Sequence, residues 1–72
     1  MDDKELEKYF GGMVRSNRNR KNLTEEQLAG RAGISVNYLR GIERGEYSIS
    51  WDIWLRICKI LDLSVRDFMQ RV

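Results

Sequence analysis

Residues 23–45, LTEEQLAGRAGISVNYLRGIERG, constrain this chain more than any other stretch. They read as two short helices joined by a tight glycine turn. Thr24 is suited to cap the first helix, and Glu25 and Glu26 follow in its opening turn, where the helix dipole favours negative charge. Leu28, Ala29 and Ala32 mark its buried face at helical spacing. Gly33 suits the left-handed conformation that ends a helix, and Ile34 plugs the turn. Ser35 then caps a second helix that Leu39 and Ile42 bury against the first. Val36, Asn37, Tyr38, Arg40, Gly41 and Arg44 remain on its outward side.

Any two amphipathic helices could supply the Leu/Ile pattern. The small residues make the difference, because helices that cross steeply through a turn of three or four residues need small side chains where their backbones meet. Ala29 and Gly33 fall at those points. Together with Ile34, Leu39 and Ile42 at their mutual spacing, they predict a DNA-binding helix-turn-helix at about residues 24–44, in preference to an ordinary helical hairpin.

At this level the chain resembles the XRE, or lambda-repressor/Cro-like, helix-turn-helix regulators of bacteria and phages. The similarity runs without a gap from about Phe10 to Met69, through FGGMVRSNRNRKNLT, GIERGEYSIS and LRICKILDLSVRDF. The resemblance implies an all-α, compact five-helix bundle, a homodimer in many members, and repression or autoregulation at an inverted-repeat operator. It places Val36, Asn37, Arg40 and Gly41 against base edges in the major groove, and Tyr38, Arg44 and Thr24 at phosphates. It also implies an ion pair between Arg18 and Glu43 that ties the reading helix to the bundle. The YLRGIERG segment is similar to restriction–modification controller proteins, and a phage or mobile-element repressor is equally compatible.

Seventy-two residues make one small domain, 1–72, near the size at which a single core is marginally sufficient. The single Cys58 excludes an intrachain disulfide, and a chain without histidine is a poor zinc binder. The apolar runs are too short for a membrane span and no signal peptide precedes the fold, so a cytoplasmic protein is expected. The net charge is only +2 but unevenly placed. Residues 15–21 carry Arg15, Arg18, Arg20 and Lys21 with no acid, a footprint suited to phosphate contact by Arg18 and Lys21. The competing reading is a solvated helix end whose cations suit the C-terminal dipole.

Three further helices complete the map. The first spans 4–21, with Leu6, Tyr9, Phe10, Met13 and Val14 on one side; Gly11 and Gly12 weaken its middle, so fraying before Met13 is expected. Asn17 lies in the apolar stripe, either buried and hydrogen-bonded or on a more exposed helix end. The fourth helix, Ser50–Leu61, opens with Ser50 as cap and has Trp51, Trp54, Leu55, Ile57, Cys58 and Leu61 on one broad face, Ile53 and Ile60 on a second stripe. A final helix over Ser64–Arg71 adds Val65, Phe68, Met69 and Val72, with Phe68 in the core. The apolar surplus of Ile53, Ile60, Val65, Met69 and Val72 predicts a two-fold homodimer joined through the C-terminal helices.

Glu25 stands where the family often has glutamine, Gly41 lacks a side chain, and Val36 cannot hydrogen-bond, so polar base reading falls on Asn37 and Arg40. Cys58, on the apolar side of its helix, reads as core volume. No catalytic constellation, cofactor motif or small-molecule site is evident. Double-stranded DNA is therefore the expected partner. The rival is a protein-interaction module of the same fold, such as an antitoxin or anti-repressor.

Overall fold

A computed structural model describes residues 2–64 of the chain. Four helices account for most of them: α1 Asp3–Arg20, α2 Glu25–Ala32, α3 Val36–Glu43 and α4 Trp51–Leu61. The described residues form an all-helical, lambda-repressor-like bundle. The fifth helix expected over 64–71 lies outside them beyond Ser64, as do Val65, Phe68, Met69 and Val72.

The Asp2 side chain caps α1 by accepting the Glu5 amide at 2.8 Å. The helix then runs unbroken through Gly11 and Gly12, so the expected fraying is absent. The reason lies in tertiary packing, because Gly11 is buried where α1 crosses the last turn of α3. A Cβ there would overlap the Ile42 carbonyl oxygen and lie 2.9 Å from that of Glu43. The residue that lowers local helix propensity thus permits the closest helix contact in its neighbourhood. Asn17 is half-buried and bonded within its own helix, its Nδ2 donating to the Met13 carbonyl at 2.8 Å.

The motif is set by local capping. Thr24 Oγ1 accepts the Gln27 amide at 3.0 Å while Gln27 Oε1 accepts the Thr24 amide at 2.8 Å, a reciprocal capping box. Gly33 takes φ +71°, and the Ile34 amide reaches back to the Ala29 carbonyl at 3.0 Å. Ser35 Oγ accepts the Tyr38 amide at 3.1 Å and starts α3. Each turn residue meets a backbone requirement that can be stated from its chemistry.

Val14, Leu28, Ala29, Ala32, Leu39, Trp54, Ile57, Cys58 and Leu61 form the core, with the Phe10 ring stacked 5.5 Å from that of Trp54. The broad apolar face expected on α4 is divided. Trp54, Ile57, Cys58 and Leu61 are buried, whereas Trp51 is 59% and Leu55 40% exposed. At 100° per residue these two lie on the flank of the buried arc, beyond the residues that pack into the core. Ile53 and Ile60, on the opposite flank, are half-buried against the core. Ser50 holds the extended cap conformation but makes no side-chain cap bond. Its hydroxyl is instead the chief group holding the Asp52 carboxyl below the ordinary range.

Candidate nucleic-acid interface

The back of α3 is fixed by Leu39 and Ile42, which are essentially fully buried. Its far end is clamped electrostatically. Arg18 Nε donates to Glu43 Oε2 at 2.8 Å and its second terminal nitrogen to Oε1 at 3.1 Å, with side chains only 11% and 4% exposed. The remaining Arg18 nitrogen donates to the Leu23 carbonyl at 2.9 Å. This bidentate geometry is the strong form of the interaction, and the Glu43 hydrogen bonds raise the Arg18 pKa further above its ordinary value. The same geometry corrects the assignment of Arg18 to a phosphate. Each of its three nitrogens donates to a group inside the protein, and only 11% of the side chain is exposed.

The outward side of α3 differs from the wheel-based expectation in three places. Val36 is half-buried and packs on the core, leaving only part of it outward. Arg40 is not a free reader: its Nε lies 3.2 Å from Glu25 Oε1 and a terminal nitrogen 3.5 Å from Glu26 Oε1. The acids that favour the N-terminus of α2 also draw in the nearest cation of α3. Gly41, assigned to the presented face, is buried. The Tyr47 ring from the following loop lies over it, so that a Cβ at Gly41 would overlap Cδ2 and Cε2 of that ring.

Tyr38 is held on the same side. Its ring stacks on Tyr47 with centroids 6.0 Å apart, and its hydroxyl donates to the Ser48 carbonyl at 3.1 Å. It packs on the loop after α3. Asn37, Thr24 and Arg44 are exposed. Arg44 has a long contact of 3.8 Å to Glu46. Lys21 is bound to Asp62 at 2.7 Å, which holds the Asp62 carboxyl below its ordinary range. An open groove of about 200 Å³ runs between α1, α2 and α3, lined by Arg15, Arg18, Arg40, Arg44, Glu25 and Glu43. Four cations against two acids make it a place of positive potential beside the reading helix.

Tyr47 was not singled out by the sequence. Its signal was indirect: a glycine at the outward position 41, followed six residues later by an aromatic residue in a polar loop. Glu26 as a second partner of Arg40 was equally hidden, because it depends on the angle between α2 and α3.

A helix-turn-helix family model matches residues 14–68. This chain belongs to that helix-turn-helix family, in its XRE-type form. It is similar to control protein C.SmaI of Serratia marcescens, at 35% identity over 71 residues covering 99% of this chain and 81% of that protein. Among solved structures it is similar to the clp gene regulator ClgR from Corynebacterium glutamicum. That match has a TM-score of 0.84 and 32% identity over 90% of this chain and 69% of that one. The chain is a DNA-binding transcriptional regulator. No helix among the described residues is long and apolar enough to cross a membrane.

Proposed function

We propose that this regulator is a homodimeric repressor or autoregulator that reads an inverted-repeat operator by inserting α3 into the major groove. The observation that carries the reading is a helix fixed on its back by Leu39, Ile42 and the Glu43–Arg18 pair, with Asn37 and Arg44 exposed on its front. Asn37 pairs with adenine, and Arg40 with guanine once it leaves Glu25 and Glu26. The Thr24 turn, Lys21 and Arg44 take phosphates, joined by Arg15, which is exposed and forms no ion pair among the described residues, while the Tyr38 hydroxyl stays on the Ser48 carbonyl. The likeness of YLRGIERG to restriction–modification controllers, and the 35% identity with a control protein, favour that context.

Two-fold pairing through α4 and the C-terminal segment supplies the second half-site. The half-buried Ile53 and Ile60 and the exposed Trp51 and Leu55 support it, since apolar side chains on both flanks of one helix are costly to leave in water. Selection of duplexes from a randomised pool, followed by salt titration and sedimentation equilibrium, tests the whole reading. A regulator of this kind enriches a palindrome with half-site centres about 34 Å apart. Its affinity falls steeply with salt. Equal affinity for random and selected DNA refutes specific regulation, and no salt-dependent binding at all leaves the protein-interaction reading.

A further inference from the structure

The reading face of α3 has a gap that another element fills. Gly41 lies one helical turn beyond Asn37 and between the two cations Arg40 and Arg44, so a side chain there would project from the same face as Asn37. No such side chain exists. The space is occupied by Tyr47, whose Cδ2 and Cε2 stand where a Cβ at Gly41 would be and whose Cγ is 3.0 Å from that point. The ring comes from the loop, yet it lies along the direction a residue-41 side chain would take.

That ring is fixed before any ligand arrives. Tyr38 stacks on it at an interplanar angle of 22°, and the Tyr38 hydroxyl holds the loop through the Ser48 carbonyl. The loop is also fastened to the end of α3, with the Glu46 amide donating to the Gly41 carbonyl at 2.8 Å and the Gly45 amide to that of Ile42 at 3.0 Å. Even so, Tyr47 is 51% exposed. A ring packed on one side against α3 and stacked on a second aromatic offers its remaining surface to whatever α3 approaches. A pre-fixed aromatic of this kind loses little conformational freedom on binding.

We propose that Tyr47 is the base-reading side chain for the position of Gly41, and that its ring packs on the C5-methyl group of a thymine in the major groove. The assignment rests on the proposed entry of α3 into that groove. The thymine methyl is the apolar feature that the groove displays, and an apolar side chain is its recognised partner. Arg40 and Asn37 are polar readers, so Tyr47 adds a discrimination that neither can make. The hydroxyl is not required, which separates this role from a phosphate contact.

The test uses the intact chain and the duplex it enriches from a randomised pool. Each thymine is replaced singly by deoxyuridine, which deletes only the methyl group. Affinity falls roughly four-fold at one symmetry-related thymine, the factor expected for burying one methyl. Tyr47→Phe keeps that ratio, and Tyr47→Ala brings it to one. A separate arm does not depend on the stability of the variant: 5-iodouridine at the sensitive position, irradiated with the unaltered protein, forms a crosslink that peptide mapping places at Tyr47. The assignment is overturned if no thymine responds, if Tyr47→Ala keeps the four-fold ratio, or if the crosslink maps elsewhere, while specific binding itself persists. If no duplex is enriched, the major-groove reading fails and the assignment fails with it.

Discussion

Adjacent glycines in α1 should respond to the same substitution with opposite signs. Gly12 faces open space, with nothing within 4 Å of a built Cβ, so Gly12→Ala realises the helix-propensity gain of about 1 kcal/mol. Gly11→Ala gains the same propensity but forces a methyl into the Ile42 carbonyl, with the Glu43 carbonyl at 2.9 Å. An ordinary carbon–oxygen contact is about 3.3–3.6 Å, so α1 and the end of α3 must separate by the order of an ångström. Both obstacles are backbone atoms, and no side chain can swing aside. Overpacking a tight contact costs about 1–3 kcal/mol, and this case belongs at the upper end. After the propensity gain, Gly11→Ala should lose about 2 kcal/mol.

For a domain of this size, 1 kcal/mol moves the melting temperature by about 4–8 °C. Gly12→Ala should therefore melt about 4–8 °C higher than the parent and Gly11→Ala about 8–16 °C lower, followed by circular dichroism or calorimetry. Urea unfolding gives the same ordering at equal slope. Equal stability of the two variants would refute the close approach of α1 to α3, and with it the account of why α1 does not fray at its glycines.

Three other outcomes follow from the site. Glu43→Leu leaves the Arg18 guanidinium largely buried and without its carboxylate, so it should lose about 3–5 kcal/mol, while adding Arg18→Met recovers most of it; chemical denaturation of the parent, the two single variants and the double measures the coupling. Glu25→Gln should tighten operator binding roughly two- to five-fold, since it frees Arg40 and removes an acid from the phosphate side. Weaker binding in a mobility-shift titration would mean that Glu25 holds Arg40 in its reading position. Burial pushes the Cys58 thiol from its ordinary 9.0 up to about 11. The fold favours the protonated form, so this contribution to stability is complete below pH 9 and is lost between pH 9 and about 11, where unfolding midpoints should decline more steeply than those of Cys58→Ala.

The legible parts of this protein were those fixed within a few residues. Thr24, Gly33 and Ser35 each meet a local backbone need, so the motif and its turn could be placed from chemistry alone. Leu28, Leu39 and Ile42 follow helical spacing, and they are buried. The Arg18–Glu43 contact joins distant points of the chain, and only the family resemblance could name it. Gly11 was misjudged because its effect depends on an α3 backbone far along the sequence. Trp51 and Leu55 were misassigned because an apolar residue on a wheel does not reveal which flank a neighbour reaches. Gly41 failed for a similar reason. The wheel placed it outward correctly, but a loop ring came back to cover it.

On the proposed reading, the surface that meets DNA is composite. α3 contributes Asn37 directly, α2 restrains Arg40 through Glu25 and Glu26, and the loop after α3 supplies Tyr47 in place of a residue-41 side chain. The loop is itself held by Tyr38 of α3 through Ser48, so helix and loop fix each other. Specificity in such a surface belongs to the arrangement and not to the eight residues of α3 alone. A helix carrying few polar readers is then no obstacle to discrimination. What it lacks in side chains on its own face is provided by an acid pair that selects when Arg40 is available and by an aromatic ring that is already in position.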